Sequence, residues 1–261
     1  LICAPEDKRI GHDILIPPKG QGNAKLGQVV SVEIIDYPDS YRQAVGRVVE
    51  VLGEIDDPGM EIEIAVRKYG VPHLFSPAAS KEAEALPNEI REEDLEGRID
   101  LRDILLVTID GEDARDFDDA VYCEPVAWGK AKAWRLIVAI ADVSHYVKPG
   151  HPLDSDAISR ATSVYFPRRV IPMLPEKISN GLCSLKPEVD RLCMVCDAVI
   201  DMDGEVQAYQ FYPAVMHSAQ RFTYNTVWEI LSNSNGPEAA RFKHLKKNLD
   251  RLYSLYKVLR A

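Results

Sequence analysis

No apolar run in the 261 residues approaches membrane-spanning length, and no signal peptide opens the chain. Positive charge is scarce. The 31 Lys and Arg against 41 Asp and Glu leave a net −10, which argues against a general nucleic-acid binder and confines any basic surface to a local patch. Five cysteines, an odd number without framework spacing, exclude a disulfide scaffold and fit a reducing compartment, here the cytoplasm. Only Cys193 and Cys196 have the spacing of a zinc or redox pair. They lie in the strand-like run 192–200, where residues three apart face opposite sides, and no second pair accompanies them. The chain opens on Leu1 without an initiator Met and closes in helical sequence without a capping Gly or Pro, so both ends read as cut from something longer.

What is present belongs to a globular chain of α+β class, 46% hydrophobic and 28% charged. Residues 1–76 read as all-β. Val30, Val32 and Ile34 alternate with Ser31, Glu33 and Ile35, Val48–Leu52 forms a second strand, and Met60, Ile62, Ile64 and Val66 alternate with Glu61, Glu63, Ala65 and Arg67. Turn signals at Pro17-Pro18, Gly20–Gly22, Pro38-Asp39 and Pro58-Gly59 separate them. Short strands at this spacing predict a closed barrel of OB or cold-shock type, with a plain β-sandwich as the alternative. Residues 77–98 are acidic and helix-prone, broken by Pro87, and are expected as a linker or surface helix pair at the domain boundary. From residue 99 to 261 a mixed α/β domain follows. It has a central strand at Arg135–Asp142, a helix capped by Asp154, an extended Pro-rich loop at Val164–Pro175, and a hairpin turning at Asp201–Gly204. Phe242, Leu245, Leu249, Leu252, Tyr256 and Leu259 mark a last helix, whose other face is basic.

The chemistry concentrates in Thr108–Tyr122, T-I-D-G-E-D-A-R-D-F-D-D-A-V-Y. Asp110, Asp113, Asp116, Asp118 and Asp119 crowd one segment between apolar flanks, where unpaired carboxylates repel and resist burial. A hard divalent cation relieves that cost. An all-oxygen set with neither His nor Cys points to Mg²⁺, Mn²⁺ or Ca²⁺ rather than Zn²⁺. No start in the segment gives a calcium loop of EF-hand type, which needs Gly at position six together with Glu at position twelve. A phosphatase would use Asp116-Phe117-Asp118 but leaves Asp110 and Asp119 idle, whereas a two-metal phosphoryl-transfer site employs all four.

This segment closely resembles the active-site stretch of the ribonuclease II/ribonuclease R family of 3′-to-5′ exoribonucleases. The resemblance extends to Ala139–Gly150, Thr162–Pro167, Ile171–Glu176 and Ser179–Leu185, and it is nearer the ribonuclease R branch. Upstream, His12–Pro18 and Ala44–Gly53 resemble the second cold-shock domain that precedes the catalytic domain in that family. The resemblance implies a small OB-type β-barrel followed by the first part of a ribonuclease II-type catalytic domain. It implies a processive exoribonuclease that hydrolyses single-stranded RNA from its 3′ end to nucleoside 5′-monophosphates with one or two Mg²⁺ ions. Asp110, Asp116, Asp118 and Asp119 are then the catalytic and metal-binding residues. Asp110 and Asp119 are the direct ligands, and Asp118 is the residue whose loss abolishes hydrolysis but spares RNA binding. Tyr165 is the aromatic that packs on the 3′-terminal nucleotide.

Asp113 lies outside that pattern, and Ala161 stands where the family usually has Gly. The resemblance also implies that the rest of the protein is a partner of this chain: the second half of the catalytic domain and a C-terminal RNA-binding domain. Alone, the chain is expected to be weak or inactive. Two other readings remain at this level, a non-catalytic OB-fold RNA-binding module and a metal-dependent phosphatase.

Overall fold

The computed structural model describes residues 1–167 and 169–260. The chain divides into two compact units, Leu1–Leu74 with Phe166–Arg169, and Phe75–Tyr165 with the residues from Val170 onward.

The first unit contains β1 (Ile2–Cys3), β2 (Ile14–Leu15), β3 (Gln28–Asp36), β4 (Val45–Glu54) and α1 (Met60–Lys68). Its sheet runs β1-β2-β4-β3 around Ile14, Ile16 and Ala44, and it is not a closed barrel. Two-residue strands at β1 and β2 are too short to bridge back to β3, which pairs only with β4 and through three register shifts. The third expected strand is also corrected, because residues 60–68 form the helix α1. Alternation of apolar and charged residues yields here to charge placement. Glu61 and Glu63 lie in the first turn and Arg67 and Lys68 in the last, where each sign offsets the helix dipole, and Glu63 pairs with Arg67 one turn on.

In the second unit come α2 (Pro77–Ala85), β5 (Ile99–Asp100), β6 (Val107–Asp110), β7 (Asp119–Trp128), β8 (Ala131–Ala141), α3 (Val143–Tyr146) and α4 (Pro152–Arg160), and the chain division falls within each strand of the short pair β9 (Val164–Phe166) and β10 (Arg169–Ile171). Then follow β11 (Asp190–Asp201), β12 (Val206–His217), β13 (Gln220–Thr223), α5 (Tyr224–Ser232), α6 (Pro237–Arg241) and α7 (Lys243–Arg260). A seven-stranded sheet in the order β13-β6-β7-β8-β11-β12-β5 organises the unit. Its long central strands are antiparallel, while β13 and β5 join the two edges in parallel.

Residues 77–98 are not a linker. Ala79 and Ala83 of α2 are buried in the main core with Leu86, Ile90 and Leu95 packed against it. A polar network fastens the same stretch, because Arg98 Nη2 donates to Asp142 Oδ2 at 2.6 Å and Arg91 Nη2 to Asp94 Oδ1 at 2.9 Å. Asp154 sits inside α4 rather than capping it, and its Oδ2 accepts from Gly150 N at 2.8 Å.

One face of the sheet, with Ala120, Ala139 and Val195, lies in the main core. The other face is covered over only part of its area. At Cys123, Leu136 and Ile200 it packs on Leu252 and Leu255 of α7. Elsewhere on this face Ile140, Met194, Phe211 and Tyr209 stay exposed, the last two, on β12, at 67% and 66%. The register sets Asp119 beside Ile140, Ile140 beside Met194, and Cys196 beside Phe211, so these residues share one face.

Candidate active site

Asp110 ends β6 and Asp119 begins β7, so the aspartate segment is the connection between two adjacent central strands. The apolar flanks explain this placement. Leu106 and Val107 on one side and Ala120 on the other are fully buried, and they anchor both strand ends and leave only the polar middle outside. Asn248 on α7 holds the approach to β6 by donating to Leu105 O at 2.8 Å.

The loop is fixed from both sides. Phe117 is its apolar anchor, and its N–H donates to Ser184 Oγ at 3.2 Å. Ser184 Oγ donates in turn to Arg115 O at 2.9 Å, and Leu185 N donates to Phe117 O at 2.8 Å. Asp118 O accepts from Ala141 N at 2.9 Å. On the entry side Arg221 Nη2 donates to Gly111 O and to Glu112 O, the latter at 3.0 Å, and Asn225 Nδ2 donates to Glu112 Oε1 at 2.7 Å. Ser184, Arg221 and Asn225 escape a reading of the sequence. They lie from 67 to 113 residues away from the groups they hold, and no local pattern announces them.

The four aspartates act on one another electrostatically. Burial pushes the Asp118 carboxyl above the ordinary carboxylate range, and the charges of Asp116, Asp119 and Asp110 push it further. Although Asp118 has solvent access, the surrounding protein removes water from part of its shell. Asp110 is raised in the same way, by burial and then by Asp119, with Arg221 opposing. The exposed Asp113 is not among the charges acting on Asp118.

Tyr165 on β9 is exposed, and its hydroxyl donates to Asp116 Oδ2 at 3.1 Å, which joins the expected base-packing aromatic to the cluster. Its own pKa is raised by burial and by Asp116. Cys193 and Cys196 behave as strand residues, the first buried and the second half-buried, and all five cysteines are unpaired.

Among the described residues, no three His, Cys, Asp or Glu side chains converge tightly enough to hold a cation. The donor chemistry nonetheless fits a hard ion. Asp110 Oδ2 is buried without any hydrogen-bond partner, and an acceptor-only oxygen in that position is satisfied by a cation. Beneath the loop lies a cleft of about 710 Å³ lined by Arg115, Phe117, Glu176, Asn180, Lys186 and Arg221.

The family described as RNB domain matches residues 98–261, and the one described as Cold shock domain matches residues 3–76. The chain is 52% identical to ribonuclease R of Escherichia coli K12 over 255 residues, which is 98% of the chain and 31% of that protein. It therefore spans about a third of the length of this curated relative. Among solved structures it resembles Mycoplasma genitalium RNase R in complex with double-stranded RNA. There the TM-score is 0.87 and the identity 28%, over 99% of this chain and 46% of that one. Yeast Ssd1, a pseudonuclease, shares the fold at a TM-score of 0.67 and 18% identity, over 92% of this chain and 31% of that one.

Proposed function

The chain belongs to the RNB family, with a cold-shock domain ahead of its RNB domain, and from that premise we propose that it is part of a Mg²⁺-dependent, processive 3′-to-5′ exoribonuclease of ribonuclease R type. Its substrate is the 3′ end of single-stranded RNA, its products are nucleoside 5′-monophosphates, and its five unpaired cysteines suit the cytoplasm. One observation carries the reading. The connection between β6 and β7 gathers Asp110, Asp116, Asp118 and Asp119 in mutual electrostatic range, with exposed Tyr165 bonded to one of them.

In this reading Asp110 and Asp119 hold the cation, Asp116 completes the acidic set, and Asp118 is essential to hydrolysis rather than to binding. Bound Mg²⁺ supplies activation of water and neutralisation of charge on the leaving oxygen. Tyr165 offers an aromatic face that grips a terminal base of any identity, and its bond to Asp116 orients the ring over the cluster. Phe117, Ser184 and Leu185 keep the loop backbone from moving when charge is added or removed.

The rest of the protein is the expected partner, seated on the open face at Ile140, Met194, Phe211 and Tyr209. The curated relative is about three times as long as this chain, and the face supplies the apolar surface on which further chain packs.

The test uses 5′-labelled single-stranded RNA with Mg²⁺ or EDTA. The full-length protein is expected to shorten RNA from the 3′ end only with Mg²⁺, and Asp118→Asn is expected to lose hydrolysis while retaining RNA binding. The 261-residue chain alone is expected to cleave little or not at all. An undiminished rate in Asp118→Asn would overturn the assignment. A second reading, a non-catalytic RNA-binding module, draws on the cold-shock domain at residues 3–76. It predicts salt-dependent RNA binding with no cleavage by the full-length protein in Mg²⁺.

A further inference from the structure

Arg221 occupies β13, where it pairs in register with Thr108, while Thr223 two residues on pairs with Asp110. The strand therefore runs parallel to β6 and ends level with the first aspartate. From there the guanidinium reaches past the end of β6 and donates to two successive carbonyls, Gly111 O and Glu112 O. Its Cζ lies 5.4 Å from the centre of the Phe117 ring, the anchor of the loop's far half. One side chain thus touches both ends of the aspartate loop, and Asn225 beside it holds the Glu112 side chain.

Both bonds leave one terminal nitrogen, Nη2, whose two hydrogens are fixed in the guanidinium plane, whereas an ammonium on a flexible stem does not fix the relative orientation of two carbonyls. Backbone carbonyls at the mouth of a loop set the direction in which the following residues depart. The other half of the loop is held separately, by Ser184, Leu185 and Ala141. Entry and exit therefore have independent anchors, and the spacing of Asp110 from Asp116, Asp118 and Asp119 depends on both.

We propose that Arg221 is a positioning residue of the acidic site, fixing the entry of the aspartate loop through its two carbonyl bonds and its contact with Phe117. It acts on the site through the loop that carries the aspartates. The assignment rests on the exoribonuclease reading for its kinetic consequence, but not for its structural one.

The experiment has two arms. In the 261-residue chain, amide hydrogen exchange across residues 111–117 is compared for the unaltered protein, Arg221→Lys and Arg221→Gln, with circular dichroism to check that each variant folds. Both substitutions are expected to raise exchange in this loop and to leave the strands β8 and β11 protected. In the full-length protein, single-turnover trimming of single-stranded RNA is expected to slow by about 10- to 100-fold in both variants, while RNA affinity stays within about twofold, since misplacement of catalytic groups acts on the chemical step. Unchanged loop exchange in Arg221→Gln overturns the proposal. So does a normal rate in Arg221→Lys, which would mean that charge alone suffices. Retained hydrolysis in Asp118→Asn would instead overturn the functional reading and leave the exchange result to decide the anchoring.

Discussion

Asp118 answers to two opposed demands. In the proposed function it must be ionised beside three other carboxylates, and for folding that ionisation is a burden. Its proton is held more tightly in the folded chain than in the unfolded one, through burial and the charges of Asp116, Asp119 and Asp110. A group raised in this way costs nothing below the ordinary carboxylate range. Stability falls as pH climbs from the ordinary value to the raised one, and the loss is complete above it. In EDTA at neutral pH, Asp118→Asn is therefore expected to melt about 2 °C higher than the parent, with the advantage fading in acid. Mg²⁺ is expected to reverse the order by stabilising the parent more than the variant. Thermal melts across pH, with and without the metal, decide the matter, and a variant that melts lower in EDTA at pH 7 would refute the electrostatic account. The acidic cluster was legible in the sequence because its signal is local: five aspartates within ten residues need a common explanation. Ser184 and Arg221 were not, because a hydroxyl or guanidinium that bonds distant carbonyls leaves no periodicity or spacing behind.

At the level of elements, hydrophobic pattern was a good guide where burial decides the structure and a poor one where it does not. Strands β8 and β11 lie inside the sheet with a paired strand on each side and read directly as apolar runs. The alternation at residues 60–66 misled because α1 is mostly half-exposed and only Met60 and Val66 are buried, so dipole and ion-pair placement outweighed the pattern. Closure of the cold-shock sheet was illegible for a different reason, since it depends on strand lengths, and boundaries are the least certain part of a sequence reading. Ala161 shows local chemistry speaking clearly. It follows α4 with φ +64° and ψ −38°, a conformation that favours glycine, at the position where the family resemblance leads one to expect Gly. Ala161→Gly is expected to stabilise the chain by about 1 kcal/mol, a rise of roughly 2–4 °C in Tm, because relief of the Cβ clash outweighs the added backbone entropy of the unfolded state. An unchanged or lowered Tm by circular dichroism would show that the backbone there carries no strain.

For the whole molecule, the decisive feature is that one sheet face is half covered. Helix α7 packs on Cys123, Leu136 and Ile200, Val121 packs with Leu252 against a second cluster, and the face lies open at Ile140 and Met194, level with Asp119 at the margin of the acidic loop. Whatever packs there is adjacent to the site, so completing the core and completing the active centre become one event. That coupling is why the chain alone is expected to be nearly inert even with its four aspartates intact. It also makes the face testable without touching the chemistry. Phe211 and Tyr209 are exposed, contact each other edge to face at 5.5 Å, and lie outside every cluster of the core. Replacing both with Ser is expected to leave the Tm of the 261-residue chain within about 1–2 °C. When the remainder of the protein is titrated in as a separate chain, RNA trimming is expected to return with the parent chain. With the double variant it is expected to require at least about tenfold more of the remainder, the loss usual when buried aromatic anchors are removed from an interface. Equal complementation by the two chains would mean that the remainder does not sit on this face.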